Sequence, residues 1–142
     1  RLEKKFLHWG HDITSENNPF EAGLAFAINF KKDNDFIGRR VLEKIKNLEP
    51  KKKLELFSLK NNFMPGKPLL LHDEPIFLYN KIVGSTTSSN YSFYYKKNIC
   101  LAYISGELKN YDDLSIEVEG RRYPLKHEKF AIHDPKSIKL RS

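Results

Sequence analysis

Cysteine, methionine and tryptophan each occur once in this sequence of 142 residues, and glycine occurs only seven times. The single cysteine, Cys100, excludes an internal disulfide and is typical of a reducing compartment, so we expect a cytoplasmic protein. Because Cys100 lies in the apolar run 99–103, we predict that it is a buried core residue and not a nucleophile. No apolar run approaches the roughly 20 residues that a membrane helix needs, so we expect no membrane partner.

Motifs of the common catalytic classes are also missing. The sequence has no glycine-rich phosphate loop, no GxSxG nucleophile elbow and no paired carboxylates on one predicted strand or helix. Glu117 and Glu119 alternate with valine, which is the pattern of the solvent-facing side of a strand. We therefore predict no catalytic residue within these 142 residues.

The composition that is present is globular, with an excess of positive charge. Hydrophobic residues make up 39% and charged residues 30%, and the length suits one domain, or one domain plus part of another. The formal net charge is +7, but the basic residues form scattered doublets such as Lys4-Lys5 and Arg121-Arg122. A nucleic-acid footprint would cluster on one element, so a nucleic-acid partner is disfavoured. The chain opens on RLEKKF without a methionine, and we expect it to be part of a longer protein.

The first 48 residues predict a helix, a strand and a second helix. The spacing of Leu2, Phe6 and Trp9 is that of one helix face, and Gly10 is a plausible stop. Residues 41–48 have the apolar spacing of a short amphipathic helix, which Pro50 ends. Apolar side chains alternate over residues 24–30, which predicts a strand with four of them on one face: Leu24, Phe26, Ile28 and Phe30.

A charged segment, residues 49–53, marks a predicted domain boundary, so that the domains are 1–48 and 49–142. Strand patterns then recur over residues 53–59, 75–78, 81–86, 99–104, 114–118 and 122–129. Tyr79-Asn80 and Glu119-Gly120 are predicted tight turns. The whole chain is therefore predicted to be α+β and β-rich. A helix-strand-helix segment precedes an antiparallel barrel or sandwich of six or seven strands.

The stretch 8–26, HWGHDITSENNPFEAGLAF, has the most unusual composition. His8 and His11 are three residues apart beside Asp12, which invites a metal-site interpretation. Gly10 separates them, however, and no third nitrogen or sulfur ligand is near in sequence. We favour a histidine hydrogen-bonded near a helix end, and we predict no metal site.

Three further features have both a structural and a functional interpretation. Glu21 lies between Pro19 and Gly23, and a turn carboxylate is its default role. Phe26 shares its predicted strand face with other apolar residues, so core packing is its default. An aromatic cluster can stack bases or flat heterocycles, although alternating strand faces explain it equally well; its members are Tyr91, Phe93, Tyr94 and Tyr95.

Five blocks of sequence extend the interpretation. In order, they are RLEKKFLHWGHDIT, NPFEAGLAF, DFIGRRVL, VGSTTSSNYSFYYKKNICLAYI and FAIHDPKSIKLRS. Their order and spacing resemble the carboxy-terminal part of the tetrahydrofolate-dependent aminomethyltransferases, the glycine cleavage T protein family. The segment HWGHDI looks most like the dimethylglycine/sarcosine dehydrogenase branch, in which a flavin domain precedes the aminomethyltransferase portion.

The resemblance implies a ring of three subdomains with tetrahydrofolate in the central hole. Residues 1–48 would end the middle subdomain, and residues 49–142 would form the C-terminal barrel. The family's catalytic aspartate has no counterpart here, and FAD would belong to an upstream domain. Phe26 would contact folate through its π-face, and Arg141 or Lys139 would pair with the glutamate carboxylates of folate. Trp9 and Glu21 are motif residues with an expected positioning role.

The function implied by the resemblance is folate-dependent transfer of a one-carbon (aminomethyl) unit, with this chain contributing part of the tetrahydrofolate pocket. The implied partners are tetrahydrofolate, a small methylated amine or an aminomethyl carrier, and the rest of the parent chain. Two alternatives stay open. One is a non-catalytic folate-binding or regulatory module of the same fold, and the less favoured one is a basic β-barrel that binds nucleic acid.

Overall fold

A closed barrel of six antiparallel strands occupies residues 52–128 of the computed structural model, which describes residues 1–61 and 63–141. The side chains of residues 140 and 141 lie outside that description. The strand order around the barrel is β1-β4-β3-β2-β5-β6, and β6 pairs with β1 to close it. The strands are β1 (Lys52–Leu59), β2 (Pro75–Leu78), β3 (Lys81–Ser92), β4 (Lys97–Ser105), β5 (Leu114–Val118) and β6 (Arg121–Glu128).

Alternation of apolar and polar residues explains the half-buried strands. In β5 the side chains of Leu114, Ile116 and Val118 enter the barrel core, whereas Ser115 and Glu117 are only partly buried. The period of two places every second side chain on the inner face. The predicted β-barrel is confirmed, with six strands, and the predicted turns at Tyr79-Asn80 and Glu119-Gly120 join β2 to β3 and β5 to β6.

The near-continuous apolar run of β4 is buried because both faces of this strand are covered. Its inward side chains, Cys100, Ala102 and Ile104, belong to the barrel core. Its outward side chains Ile99 and Leu101 join a second cluster on the outside of the barrel, which Leu2, Leu54 and Leu56 complete. The N-terminal segment thus lies against the outer surface of β1 and β4 and buries it.

Residues 1–9 do not form the helix that the sequence predicts. Only Leu2–Lys4 is helical, as a single 3₁₀ turn, and it ends where Lys5 adopts a left-handed backbone conformation with φ 54°. Leu2 is buried, but Phe6 and Trp9 are exposed, so the three residues do not share a buried face. The apolar spacing was compatible with a helix, but the chain turns away after one turn.

The strand predicted for residues 24–30 is wrong. Ala25–Ala27 forms a 3₁₀ helix, in which the backbone N–H of Ala27 donates to Leu24 and that of Ile28 donates to Ala25. Gly23, with φ 70°, turns the chain into this helix. Local backbone hydrogen bonds therefore replace the ladder to a neighbouring strand that the alternating pattern would require.

Two α-helices flank the barrel in sequence. The helix predicted near residues 41–48 is confirmed as α1 (Arg39–Ile45), which begins after Gly38. A short helix, α2 (Ile138–Arg141), ends the described part of the chain. Within residues 1–61 and 63–141, no helix is long and apolar enough to cross a membrane.

Candidate functional site

A groove of about 580 Å³ lies between the N-terminal segment and the stretch that follows β6. Three exposed phenylalanine rings line it, namely Phe6, Phe26 and Phe130. It therefore combines flat apolar surface with the ammonium groups of several lysines, a surface suited to an aromatic ligand that carries negative charge. The lining residues are Lys4, Lys5, Phe6, Leu7, Ile13, Ala22, Gly23, Leu24, Phe26, Lys129, Phe130, Ala131 and Pro135.

Phe26 is the most exposed aromatic residue of the groove. Its side chain is 85% exposed, so the core-packing interpretation of Phe26 is wrong. It lies in the 3₁₀ helix that follows Gly23, and this helix projects the ring away from the barrel core. The fold leaves this apolar ring exposed to water, so contact with a ligand or with another protein would be favourable.

Glu21 fixes the turn that leads to Phe26. Its carboxylate accepts a hydrogen bond from the backbone N–H of Asn18 (3.3 Å), and the Asn18 side-chain oxygen accepts one from the N–H of Glu21 (3.0 Å). This reciprocal pair resembles a capping box. The Glu21 carbonyl also accepts a bond from the N–H of Leu54 in β1 (2.9 Å), which ties the turn to the barrel. Glu21 is buried and lines a different cavity, of about 310 Å³.

Trp9 lies beside the groove's N-terminal wall without being one of its lining residues. Its ring is 67% exposed, and its backbone forms an isolated bridge with Ile13, a lining residue. The N–H of Gly10 donates to the carbonyl of Ile13 (2.8 Å), which closes this small loop. The bridge is a backbone contact, so it links position 9 to the groove wall at Ile13 without using the Trp9 ring.

The C-terminal helix begins at the edge of the groove. Asp134 caps α2 by accepting hydrogen bonds from the N–H groups of Ile138 (2.8 Å) and Lys139 (3.2 Å). The same carboxylate pairs with the ammonium group of Lys4 (3.6 Å), which lines the groove. Arg141 ends this helix, and its side chain lies outside the described residues, so its predicted folate contact stays a prediction.

Asp12 is a structural centre that the sequence did not identify. It is fully buried, and its carboxylate accepts hydrogen bonds from the Arg1 guanidinium (2.6 Å), the His8 backbone N–H (2.8 Å) and the Thr87 hydroxyl (2.6 Å). Burial raises the pKa of Asp12, but hydrogen bonds from Thr87, Ser88, His8 and Arg1 outweigh it and hold the pKa below its ordinary value. Thr87 is 75 residues away in sequence, so no local pattern indicates this contact.

The histidines of the stretch 8–26 meet a third histidine from the loop before β2. The rings of His8 and His11 stack with centroids 4.6 Å apart, and His72 lies edge-on to His11 at 5.7 Å. Among the residues that the structure describes, no group of three His, Cys, Asp or Glu side chains could hold a metal ion. Asp73 pairs with the His72 ring at 2.7 Å.

A half-buried charge network joins the groove to strands β1 and β6. The Glu55 carboxylate of β1 contacts the His127 ring of β6 (3.0 Å) and the ammonium group of Lys5 (3.6 Å), a lining residue. Burial raises the pKa of Glu55, but the His127 hydrogen bond and the Lys5 charge outweigh it, so that the net pKa is lowered. The groove is thus anchored to the barrel by Glu55, by the Glu21 turn and by Asp12.

The fold matches that of a known enzyme. The structure of the glycine cleavage system aminomethyltransferase T from Bartonella henselae superposes with a TM-score of 0.81, covering 95% of this chain and 37% of that chain. At 17% sequence identity, this likeness shows a shared fold. In sequence, residues 53–132 match the family described as the glycine cleavage T-protein C-terminal barrel domain. This match covers more than half of the 142 residues, and the chain belongs to that family.

Relatives of known activity are much longer than this chain. Mitochondrial dimethylglycine dehydrogenase from Mus musculus is 31% identical over 99% of this chain and 16% of the relative. The 4-methylaminobutanoate oxidase (formaldehyde-forming) of Paenarthrobacter nicotinovorans is 30% identical, over 99% of this chain and 17% of the relative. An aminomethyltransferase of Symbiobacterium thermophilum is 38% identical, over 73% of this chain and 26% of the relative. The family predicted from the five sequence blocks is confirmed.

Proposed function

We propose that this chain contributes part of the tetrahydrofolate pocket of a one-carbon (aminomethyl) transfer enzyme of the dimethylglycine/sarcosine dehydrogenase or glycine cleavage T protein type. The observation that carries this proposal is the groove, in which Phe26 presents a bare ring beside the lysines at positions 4, 5 and 129. Tetrahydrofolate pairs flat rings with glutamate carboxylates. Phe26 offers a face to the rings, and Lys129 offers a charge to the carboxylates, whereas Lys4 and Lys5 already pair with Asp134 and Glu55. Names of relatives, such as aminomethyltransferase, support the same reading.

In this proposal each residue has a separate task. The pterin or aminobenzoyl ring stacks on Phe26, and Arg141 pairs with the glutamate carboxylates. Glu21 holds the turn that delivers Phe26, through its hydrogen bonds to Asn18, and Trp9 holds Ile13 through its backbone. The catalytic carboxylate comes from another part of the enzyme, and FAD, where present, from an upstream domain. The second partner is a small methylated amine or an aminomethyl carrier.

Residues 1–48 are proposed to be the end of a middle subdomain, and residues 49–142 the barrel domain. The distribution of apolar side chains supports this division. Ile37, Val41 and Leu48 are exposed, whereas Leu2, Leu7 and Ile13 pack on the outer surface of the barrel. Isolated exposed apolar residues need no explanation, but three of them in and beside the short helix α1 are typical of a segment that packs on further protein.

The two alternatives make different demands. A non-catalytic folate-binding or regulatory module would keep the groove but lack the upstream catalytic carboxylate. The presence or absence of that carboxylate in the intact parent protein therefore distinguishes the module from the proposed enzyme. Nucleic-acid binding is disfavoured because many cations already pair with carboxylates, for example Arg1 with Asp12 and Lys109 with Glu49. Oligonucleotide binding would weaken steeply with added salt, whereas folate binding to an aromatic groove would not. A cytoplasmic location remains part of the proposal.

Direct titration tests the proposed function. The chain should bind tetrahydrofolate weakly in isothermal titration calorimetry under anaerobic conditions, and it should form no methylene-tetrahydrofolate when supplied with a methylated amine. Weak binding follows because the chain contributes only one wall of the pocket. Appreciable turnover by the chain alone, or no folate binding by the intact parent protein, would overturn the proposal.

A further inference from the structure

The cavity of about 310 Å³ that Glu21 lines is separate from the groove and lies between the Glu21 turn and the end of helix α1. Apolar side chains from both elements form part of its wall, namely Phe20 from the turn and Ile45 and Leu48 from the end of α1. Leu48 is 63% exposed, so the apolar part of the wall is open to water. A concave apolar wall with a few polar groups is the usual form of a binding site.

Glu21 is a buried carboxylate for which the described residues supply no cation. The residue is 8% exposed, and none of the ion pairs formed within residues 1–61 and 63–141 includes it. Its oxygen Oε2 accepts a hydrogen bond from the Asn18 N–H (3.3 Å), but Oε1 accepts none within the same residues. Buried carboxylates are ordinarily paired with a cation or fully hydrogen-bonded. Oε1 is therefore an open acceptor for a donor from outside the described chain.

The other charged residues of the cavity wall leave Glu21 unmatched. Glu49 already pairs with two lysines, at 2.9 and 2.5 Å. Lys51 also lines the cavity, but its ammonium group forms no ion pair with the residues that the structure describes. Glu16 adds a second carboxylate, which is exposed. The two carboxylates Glu16 and Glu21 outnumber Lys51, so the unpaired charge of the wall is negative and attracts a cation.

We propose that this cavity binds the guanidinium group of an arginine side chain from another polypeptide segment, with Glu21 as its carboxylate partner. A guanidinium presents a planar fork of N–H donors that matches a carboxylate, and it is less strongly hydrated than an ammonium group. The aliphatic stem of arginine can cover Ile45 and Leu48 while the fork reaches Glu21. A polypeptide is the expected source because it would also cover the exposed apolar side chains of Val41 and Leu48. Among the described residues the cavity and the groove share no lining residue, so this inference does not rest on the proposed folate contact.

N-acetyl-arginine methylamide tests the proposal, with the corresponding citrulline and lysine compounds as matched ligands. The ¹⁵N-labelled full chain is titrated with each compound at constant ionic strength, and the amide signals of residues 20–21 and 45–49 are followed by NMR. The arginine compound should give saturable shifts there. Its affinity should be at least about tenfold above that of citrulline, which lacks the charge, and about threefold above that of lysine, which lacks the fork. Equal binding of the arginine and citrulline compounds, equal binding of the arginine and lysine compounds, or no saturable shift would overturn the proposal.

Three variants locate the binding. Leu48→Ala removes an exposed apolar side chain of the cavity wall and should weaken arginine binding about threefold. Val41→Ala, a matched change of an exposed apolar residue of α1 that does not line the cavity, should leave it unchanged. Glu21→Gln keeps an acceptor for the Asn18 N–H but removes the charge, so it should weaken arginine binding at least about tenfold and leave the citrulline compound unaffected. An unchanged arginine affinity in either Glu21→Gln or Leu48→Ala contradicts the proposal, and Leu48→Ala leaves the hydrogen bonds of the Glu21 turn in place.

Discussion

Phe26→Ala is the most direct test of the groove. The ring is 85% exposed, so removing it costs the folded chain little, and we expect less than about 0.5 kcal/mol of lost stability. A ligand that stacks on it covers one ring face, roughly 60 Å², which is worth about 1.5 kcal/mol at ~25 cal/mol/Å². Stacking adds about 0.5–1.5 kcal/mol. Allowing for the alternative contacts that a ligand makes, the expected loss is about 2 kcal/mol, or ~30-fold in Kd.

Calorimetric titration of the intact parent protein with tetrahydrofolate measures this loss, and thermal melting of the variant checks its folding. The matched control is Phe93→Ala, which removes an exposed phenylalanine of the β3–β4 hairpin that does not line the groove. Its folate Kd should not change. An unchanged folate Kd for Phe26→Ala with an unchanged melting temperature would show that the ring does not contact folate, and the role proposed for the groove would fall with it.

Three further predictions concern contacts that stabilise the fold, two of them supports of the groove. Asp12→Asn should lower the free energy of unfolding by about 2–4 kcal/mol in urea denaturation, because one amide oxygen cannot replace the two oxygens of this buried carboxylate, which accept bonds from Arg1, His8 and Thr87; a loss below ~0.5 kcal/mol contradicts this. The lowered pKa of Glu55 means that its contact with His127 stabilises the fold above the ordinary carboxyl pKa, and that this stabilisation is lost as pH falls through the folded-state pKa. Wild type should therefore lose more stability than Glu55→Gln between about pH 5 and about pH 3, and parallel curves would refute this. Gly106→Ala places a methyl group 1.7 Å from a backbone carbonyl oxygen, whereas Gly23→Ala meets open space and only a strained φ of +70°. The first should cost at least about 2 kcal/mol and the second about 1 kcal/mol, again by urea denaturation; equal costs would argue against the close packing at Gly106.

The barrel could be predicted because its strands carry their own signals. Leu114, Ile116 and Val118 alternate with polar residues, and a period of two has one structural solution when one face is buried. Turn residues at Glu119-Gly120 then fix where the strands reverse. The run 99–104 was predicted as a strand from its length and apolar content, but the reason for burial on both sides is the N-terminal segment on its outer face.

The local sequence pattern gave a wrong prediction for residues 24–30, where the alternation of apolar residues at Leu24 and Phe26 implied a strand. Alternation alone does not make a strand, because the backbone also needs a neighbouring strand to pair with. The reciprocal bonds of Asn18 and Glu21 and the left-handed Gly23 turn the chain into a 3₁₀ helix instead. Phe26 consequently lies in water and not in the core.

The sequence by itself determined the family and the strands of the barrel, because these depend on local order and composition. The folate contacts that the resemblance implies stay predictions. Only the tertiary structure decided which side chains meet. Asp12 reaches Thr87 across 75 residues, and Glu3 reaches Ser92 across 89. Such contacts follow from how the N-terminal segment packs on the closed barrel, and packing between distant segments leaves no periodic signal in the chain.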